Sequence, residues 1–201
     1  PASVVRFCQK LGFSGYSDFK ASLRMDLFEP EAAPRETRPT DFFRDIQKTI
    51  QMVPEETVER IVELIHRSRR IELYAVGSSR MPGTELAKRL QTIGKAAFCY
   101  DDSTLMNISA RQLTSDDLVL ALSISGETSL IIAAATVAKS RGAALVSFTN
   151  LGSNTLSSMA DENLYVNATN FVRSGIQVQS RVQLLMLCEY LFFRYIETYG
   201  G

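Results

Sequence analysis

Histidine occurs once in this chain, at His66, and cysteine only three times, at Cys8, Cys99 and Cys188. The cysteines lie far apart among apolar residues and never in the C-x-x-C spacing that metal and redox sites require, which points to a reducing cytoplasm. No apolar run reaches the roughly 18 residues of a membrane span, and the first residues lack the basic-then-apolar order of a signal peptide. A soluble protein is expected. The nucleoside triphosphate loop G-x-x-x-x-G-K-[ST] is missing, and so is a G-x-G-x-x-G turn after the first strand that would hold a dinucleotide. Neither sign of charge is in excess, since 22 basic side chains face 22 acidic ones. The totals therefore exert no global pull on nucleic acid, and an apolar content of 45% excludes general disorder.

The balance hides a local asymmetry. Residues 1–25 carry Arg6, Lys10, Lys20 and Arg24 against Asp18 alone, whereas residues 26–40 carry four acids against Arg35 and Arg38. "ASVVRFCQKL", residues 2–11, has helical spacing with Val4, Val5, Cys8 and Leu11 on its apolar side, and Gly12 ends it. After a turn at Gly15, the spacing resumes through Phe19, Leu23 and Leu27. Two helices this short bury no core of their own. Pro30, Pro34 and Pro39 are half of the six prolines in the chain and mark residues 29–40 as a linker between a segment at 1–28 and a main domain at 41–201. Because the chain opens at Pro1 already inside an amphipathic pattern, further residues are expected to precede it in the whole protein.

Beyond the linker, Phe42, Phe43, Ile46, Ile50 and Val53 mark one helix, and Pro54 opens another whose core face is Val58, Ile61, Val62 and Ile65. From Ile71 the character changes. "IELYAV", "KAAFCY", "DLVLAL", "ALVSFT" and "ENLYV" are short runs, mostly apolar at consecutive positions as strands covered on both faces should be. Helical segments at about 80–93, 103–111, 127–141 and 153–159 separate them, so the pattern predicts βαβ units and a five-stranded parallel, doubly wound α/β sheet. Residues 176–199 read as a final helix, apolar on most of its circumference and hence covered by the sheet, by a partner subunit, or by both.

In such a sheet ligands sit beyond the carboxyl ends of the strands where strand order reverses, commonly between the first and third strands. The loops there are "VGSSRMPG", with Gly77, Ser78 and Ser79, and "SISGET", with Ser123, Ser125, Gly126, Glu127 and Thr128. Each leads into a helix whose free N–H groups and dipole attract an anion, and small hydroxyl side chains add donors without blocking its approach. This is the composition of a phosphomonoester cradle. The plainer alternative is that these serines only cap helices.

Gly77-Ser78-Ser79 after one strand and Ser123-Ile124-Ser125-Gly126-Glu127-Thr128 after another resemble the sugar isomerase (SIS) domain, a phosphosugar-binding module, across residues 40–199. "VVRFCQKLGFSGYSDFK", residues 4–20, resembles the end of the N-terminal helix-turn-helix domain of RpiR-family transcriptional regulators. The resemblance implies a flavodoxin-like three-layer sandwich that senses a phosphosugar, with no cofactor, working as a homodimer or tetramer on operator DNA. It assigns the phosphate to Ser78, Ser79, Ser123, Ser125 and Thr128, with Gly126 in the same turn and Glu127 towards the sugar hydroxyls. The first helices of that DNA-binding domain have no counterpart in the sequence. If residues 2–11 are a recognition helix, Ser3, Arg6 and Lys10 are its DNA contacts, the alternative being an ordinary solvated helix face.

SIS domains also occur in aldose–ketose isomerases, which need a base to move a proton and an acid to open the ring. His66 ends a helix before the first strand, where a surface or capping role suits it, and Glu127 stands alone, so no acid–base pair is legible. Arg173 and Ser174 either close over a ligand or begin the last helix. Met81 and Met106 read as packing residues.

Overall fold

Strands β1 (Arg70–Ala75) and β3 (Asp117–Leu122) lie side by side at the centre of a five-stranded sheet in the computed structural model, which describes residues 38–173 and 176–200. Leu118, Leu120 and Leu122 join one core while Val119 and Ala121 join the other, as the two-residue period of a strand demands. Around them stand β2 (Ala97–Tyr100), β4 (Ala144–Asn150) and β5 (Glu162–Val166), in the order β2-β1-β3-β4-β5 with every pairing parallel. This is the doubly wound α/β sheet that the alternating runs predict.

Helices α2 (Glu55–Arg67), α3 (Arg80–Thr92) and α7 (Val182–Tyr199) supply one core through Ile61, Ile65, Leu86, Leu90, Leu187 and Leu191. Helices α4 (Ser103–Ala110), α5 (Ser129–Ser140) and α6 (Thr155–Met159) supply the other through Met106, Ile131, Ala134 and Leu156. The chain thus crosses from β1 to one face and from β3 to the opposite face. That reversal places the ends of β1 and β3 at the switch point.

The tail of the domain departs from the sequence expectation. Residues 176–179 are not the start of the last helix but strand β7 (Ile176–Gln179), paired with β6 (Asn170–Arg173), and α7 begins only at Val182. Arg173 therefore ends a strand and begins no helix; Ser174 lies outside the described residues. Short apolar stretches do not distinguish strand from helix by periodicity alone, so "IQVQ" beside a strongly helical segment reads as its first turn. Met106 is fully buried as expected, but Met81, in the first turn of α3, is 52% exposed and borders a groove between α3 and α7. Leu184, Leu187 and Leu191 bury one side of α7, while Val182, Phe193 and Tyr199 remain exposed on it.

Helix α1 (Pro39–Gln51) opens with proline at its first position, where the missing N–H costs nothing, and is latched to the loop after β5. The buried carboxylate of Asp45 accepts hydrogen bonds from Asn167 Nδ2 (2.6 Å), Thr169 N (2.8 Å) and Thr169 Oγ1 (3.0 Å). Thr49 Oγ1 accepts from Asn167 N at 2.9 Å on the next turn. The helices expected at residues 2–27 and most of the linker at 29–40 lie outside the described residues.

Two buried carboxylates sit in strands, each supplied with partners as a buried charge must be. Glu72 accepts from Tyr74 Oη at 2.7 Å and is paired with Arg70 and Ser109. Asp117, at the start of β3, accepts from Thr114 N (2.8 Å), Thr114 Oγ1 (2.9 Å) and Arg69 Nη2 (3.0 Å). Burial opposes its ionisation, but the Thr114 bonds and the Arg69 guanidinium outweigh burial and hold its carboxyl below the usual range. A depressed folded pKa contributes stability that is present above the unfolded value of about 3.9 and is lost as pH falls through the folded value. Urea unfolding of the wild type and Asp117→Asn, followed from pH 7 to acid, should show a stability gap that is constant at neutral pH and narrows once pH drops below about 4. A gap that does not change with pH would mean that the Asp117 charge contributes nothing.

Candidate functional site

The two serine loops leave adjacent strands. β1 and β3 are adjacent strands, about 4.8 Å apart, with Ala75 opposite Leu122 at their carboxyl ends. One strand continues through Val76 into the short 3₁₀ turn Gly77–Ser79, and the other into Ser123. Gly77 (φ +58°) and Gly126 (φ +65°) take the left-handed conformation that lets each turn reverse sharply.

The second loop is built around Ser123, which is buried. Its backbone N donates to Phe148 O (3.0 Å), and its carbonyl accepts from Gly126 N (2.9 Å). Ser123 Oγ lies 2.7 Å from Thr128 Oγ1 and 3.5 Å from Ser125 Oγ, so three hydroxyls form one cluster. Ser125 Oγ also accepts from Glu127 N at 3.2 Å. In the first loop Ser78 is exposed, whereas Ser79 is buried and its Oγ accepts from Arg181 Nε at 3.2 Å.

Helix capping does not explain these hydroxyls. Ser79 and Thr128 occupy the N-cap positions of α3 and α5, and neither side chain bonds to its helix. By contrast, Asp102 and Asn154 cap α4 and α6 through their side chains. The first N–H groups of α5 thus receive no side-chain cap from Thr128, whereas the Arg80 N–H that opens α3 donates to Gly77 O.

Glu127 is engaged elsewhere. Its carboxylate accepts from Thr155 N (2.7 Å) and Thr155 Oγ1 (2.8 Å), and these bonds hold it below the usual carboxylate range. It joins the β3–α5 loop to the start of α6, and a second clasp runs from Leu156 N to Gly126 O at 3.0 Å. Asn154 completes the buttress: its Oδ1 accepts from Ser157 N, while its amide donates to Thr149 Oγ1 (3.1 Å) and Gly152 O (3.2 Å).

Sequence reasoning missed Arg181 and Asn154. A cation at the first turn of an apolar helix opposes the helix dipole, and that local oddity was the available signal for Arg181. Its partners are Ser79 and Gln179 O (2.5 Å), burial holds its pKa below the usual arginine value, and among the described residues no carboxylate pairs with it. From Ser78 a groove of about 610 Å³ runs between α3 and α7, lined by Arg80, Thr84, Lys88 and Glu189, among others. His66 lies at the opposite, strand-entry end of the sheet, stacked on Tyr199 at 3.7 Å. No cluster able to hold a metal ion occurs among the described residues, and no described helix is long and apolar enough to cross a membrane. Ser3, Arg6 and Lys10 lie outside the described residues.

Strand order and the flanking helices define a domain of the doubly wound α/β class, whose switch point lies at the carboxyl ends of β1 and β3. Comparison with known proteins gives the family. The SIS domain model matches residues 64–194, and that of the helix-turn-helix domain of the rpiR family matches residues 1–30. The chain is similar to the solved NanR protein of Vibrio vulnificus complexed with ManNAc-6P, at 33% identity and a TM-score of 0.73, over 99% of this chain and 75% of that one. It is 28% identical to YbbH of Bacillus subtilis, an uncharacterized HTH-type transcriptional regulator, over 95% of this chain and 72% of the relative. The sugar isomerase domain of an RpiR transcription factor from Sphaerobacter thermophilus shares the fold at 20% identity and a TM-score of 0.74, over 80% of this chain and 88% of that one. This chain belongs to the SIS-domain family, in the RpiR-type arrangement of a helix-turn-helix segment followed by the SIS domain.

Proposed function

We propose that this protein is a cytoplasmic transcriptional regulator whose SIS domain, residues 41–201, binds a phosphosugar and whose helix-turn-helix segment, residues 1–28, contributes to operator binding. What supports the reading is that the two serine turns leave adjacent strands at the switch point and that the Ser79 and Thr128 side chains cap no helix. Ser78, Ser79, Ser123, Ser125 and Thr128, with the backbone at Gly126, hold the phosphoryl group. Glu127 supports that loop through Thr155 instead of facing the sugar. The sugar extends into the groove between α3 and α7, where Lys88 and Glu189 offer hydrogen-bonding groups. The apolar residues left exposed on α7 suit a homo-oligomer.

Ligand binding changes DNA affinity only to the extent that it favours one arrangement of the protein over another. The linker at 29–40 leads into α1, and the Asp45 latch fixes α1 to the sheet, so the linker's far end has a firm anchor. An isomerase is the second reading. It would need an acid–base pair at the seat, and the carboxylate within the serine loops, Glu127, is occupied by Thr155.

The test is a thermal-shift screen over hexose, pentose and amino-sugar phosphates, with ManNAc-6P first because NanR was solved with it. At one hundred times Kd a ligand stabilises by about 2.7 kcal/mol, or about 5–10 °C for a domain of this size. Ser123→Ala combined with Ser125→Ala should erase that shift while leaving the unliganded melting temperature within about 2 °C. A wild type that no phosphosugar stabilises would overturn the reading, and turnover of the bound sugar phosphate would favour the isomerase.

A further inference from the structure

The two serine loops supply hydroxyls and N–H groups to a phosphoryl group, and the one cation among them, Arg80, is paired with Asp101. Arg181 stands beside the first loop, outside both and 102 residues along the chain from Ser79, which it contacts. It occupies the N-cap position of α7 and is half-buried. Its Nε donates to Ser79 Oγ at 3.2 Å, and Nη1 donates to Gln179 O at 2.5 Å. Neither partner carries charge, and among the described residues no carboxylate lies within ion-pair distance. Arg80, at the start of α3, differs in this respect, being bound to Asp101 at 2.6 Å.

A half-buried guanidinium at the positive end of a helix dipole, facing a neutral hydroxyl, is unfavourable in isolation. Its planar fork has donors left over after the bonds to Ser79 and Gln179, and those donors match phosphate oxygens. Resting on the phosphosugar reading above, we infer that Arg181 is the charge-bearing ligand of the phosphoryl group, binding it from the α7 side while the serine loops bind it from the strand ends. The seat then selects phosphorylated over unphosphorylated sugars by charge as well as by hydrogen-bond count. It also ties ligand occupancy to Gln179, whose amide donates to Ala168 O at 2.8 Å, next to the loop that Asp45 clasps.

Thermal shift and calorimetric titration with inorganic phosphate and with ManNAc-6P test this on the whole chain, comparing wild type, Arg181→Gln, Arg181→Lys and the Ser123→Ala/Ser125→Ala pair. Arg181→Gln should weaken both ligands at least about tenfold, and Arg181→Lys should fall between it and the wild type, because lysine keeps the charge and loses the fork. The unliganded Arg181→Gln protein should melt at or above the wild-type temperature, since an uncompensated cation has been removed. A purely structural Arg181 would give the reverse, a less stable unliganded protein with undiminished affinity. If the wild type binds and Arg181→Gln binds equally well, this inference is wrong and the phosphosugar reading stands. If the wild type binds neither of these ligands nor any other phosphosugar of the screen above, both are wrong. Should Arg181→Gln fail to fold, Arg181→Met takes its place under the same expectations, and wild-type affinity for both ligands in that variant overturns the inference.

Discussion

Gly126→Ala should lower the melting temperature by about 6–12 °C and erase any phosphosugar-induced shift, the largest combined effect expected of one substitution in this domain. Two costs add. Gly126 has φ +65°, where a side chain costs about 1–2 kcal/mol. A Cβ there would also lie 2.0 Å from Asn154 Oδ1 and 2.2 Å from its Cγ, an overlap that forces one of the two loops to move. Asn154 is poorly placed to yield, because it caps α6 and binds Thr149 and Gly152. Moving Gly126 instead breaks the bond from Leu156 N and displaces Ser125 and Thr128 from Ser123. Together these amount to about 3 kcal/mol, in the range of core disruptions. Gly77→Ala is the control. Its φ is +58° but a Cβ there meets nothing within 4 Å, so only the conformational cost of about 1–2 kcal/mol applies. Equal losses for the two variants, read by thermal denaturation, would show that the Asn154 wedge contributes nothing.

Asp45→Ala should cost about 2–3 kcal/mol, or about 4–12 °C, while leaving the ligand-induced shift intact. The carboxylate accepts three hydrogen bonds from Asn167 and Thr169 and is only 6% exposed, so alanine removes a charged acceptor and strands donors on the loop after β5. Water can reach Thr169, which is exposed, and this keeps the cost below that of a sealed core site. Loosening α1 alone should appear in hydrogen exchange as lost protection over residues 39–51 with β1, β3 and α5 unchanged. A variant that melts like the wild type, or one that loses ligand response along with stability, would show that α1 and the seat are not separable in this way.

These two sites differ in how far the sequence revealed them. Gly126 stood in a visible pattern: an apolar strand, then small hydroxyls and glycine, then a helix. Each part follows from local chemistry, since consecutive apolar residues mark a strand covered on both faces and the turn needs a residue that accepts positive φ. Asn154 could not be read in the same way. Nothing between residues 150 and 160 indicates that its side chain packs against Gly126, and that contact makes the glycine indispensable beyond its own conformation. Asp45 looked like any acid in the first turns of an amphipathic helix until the chain returned with Asn167 and Thr169, more than 120 residues later.

The sequence by itself determined the alternation of strands and helices, the all-parallel sheet, the two serine turns and the family resemblance. All of these rest on neighbours in the chain or on strand ends whose order the βαβ rule constrains. Only the tertiary structure decided that Glu127 binds Thr155, that residues 176–179 pair as a strand, and that Arg181 reaches Ser79. The physical reason is the same in each case. A hydrogen bond between residues distant in sequence leaves no period or motif behind, because its geometry exists only once the helices have packed on the sheet.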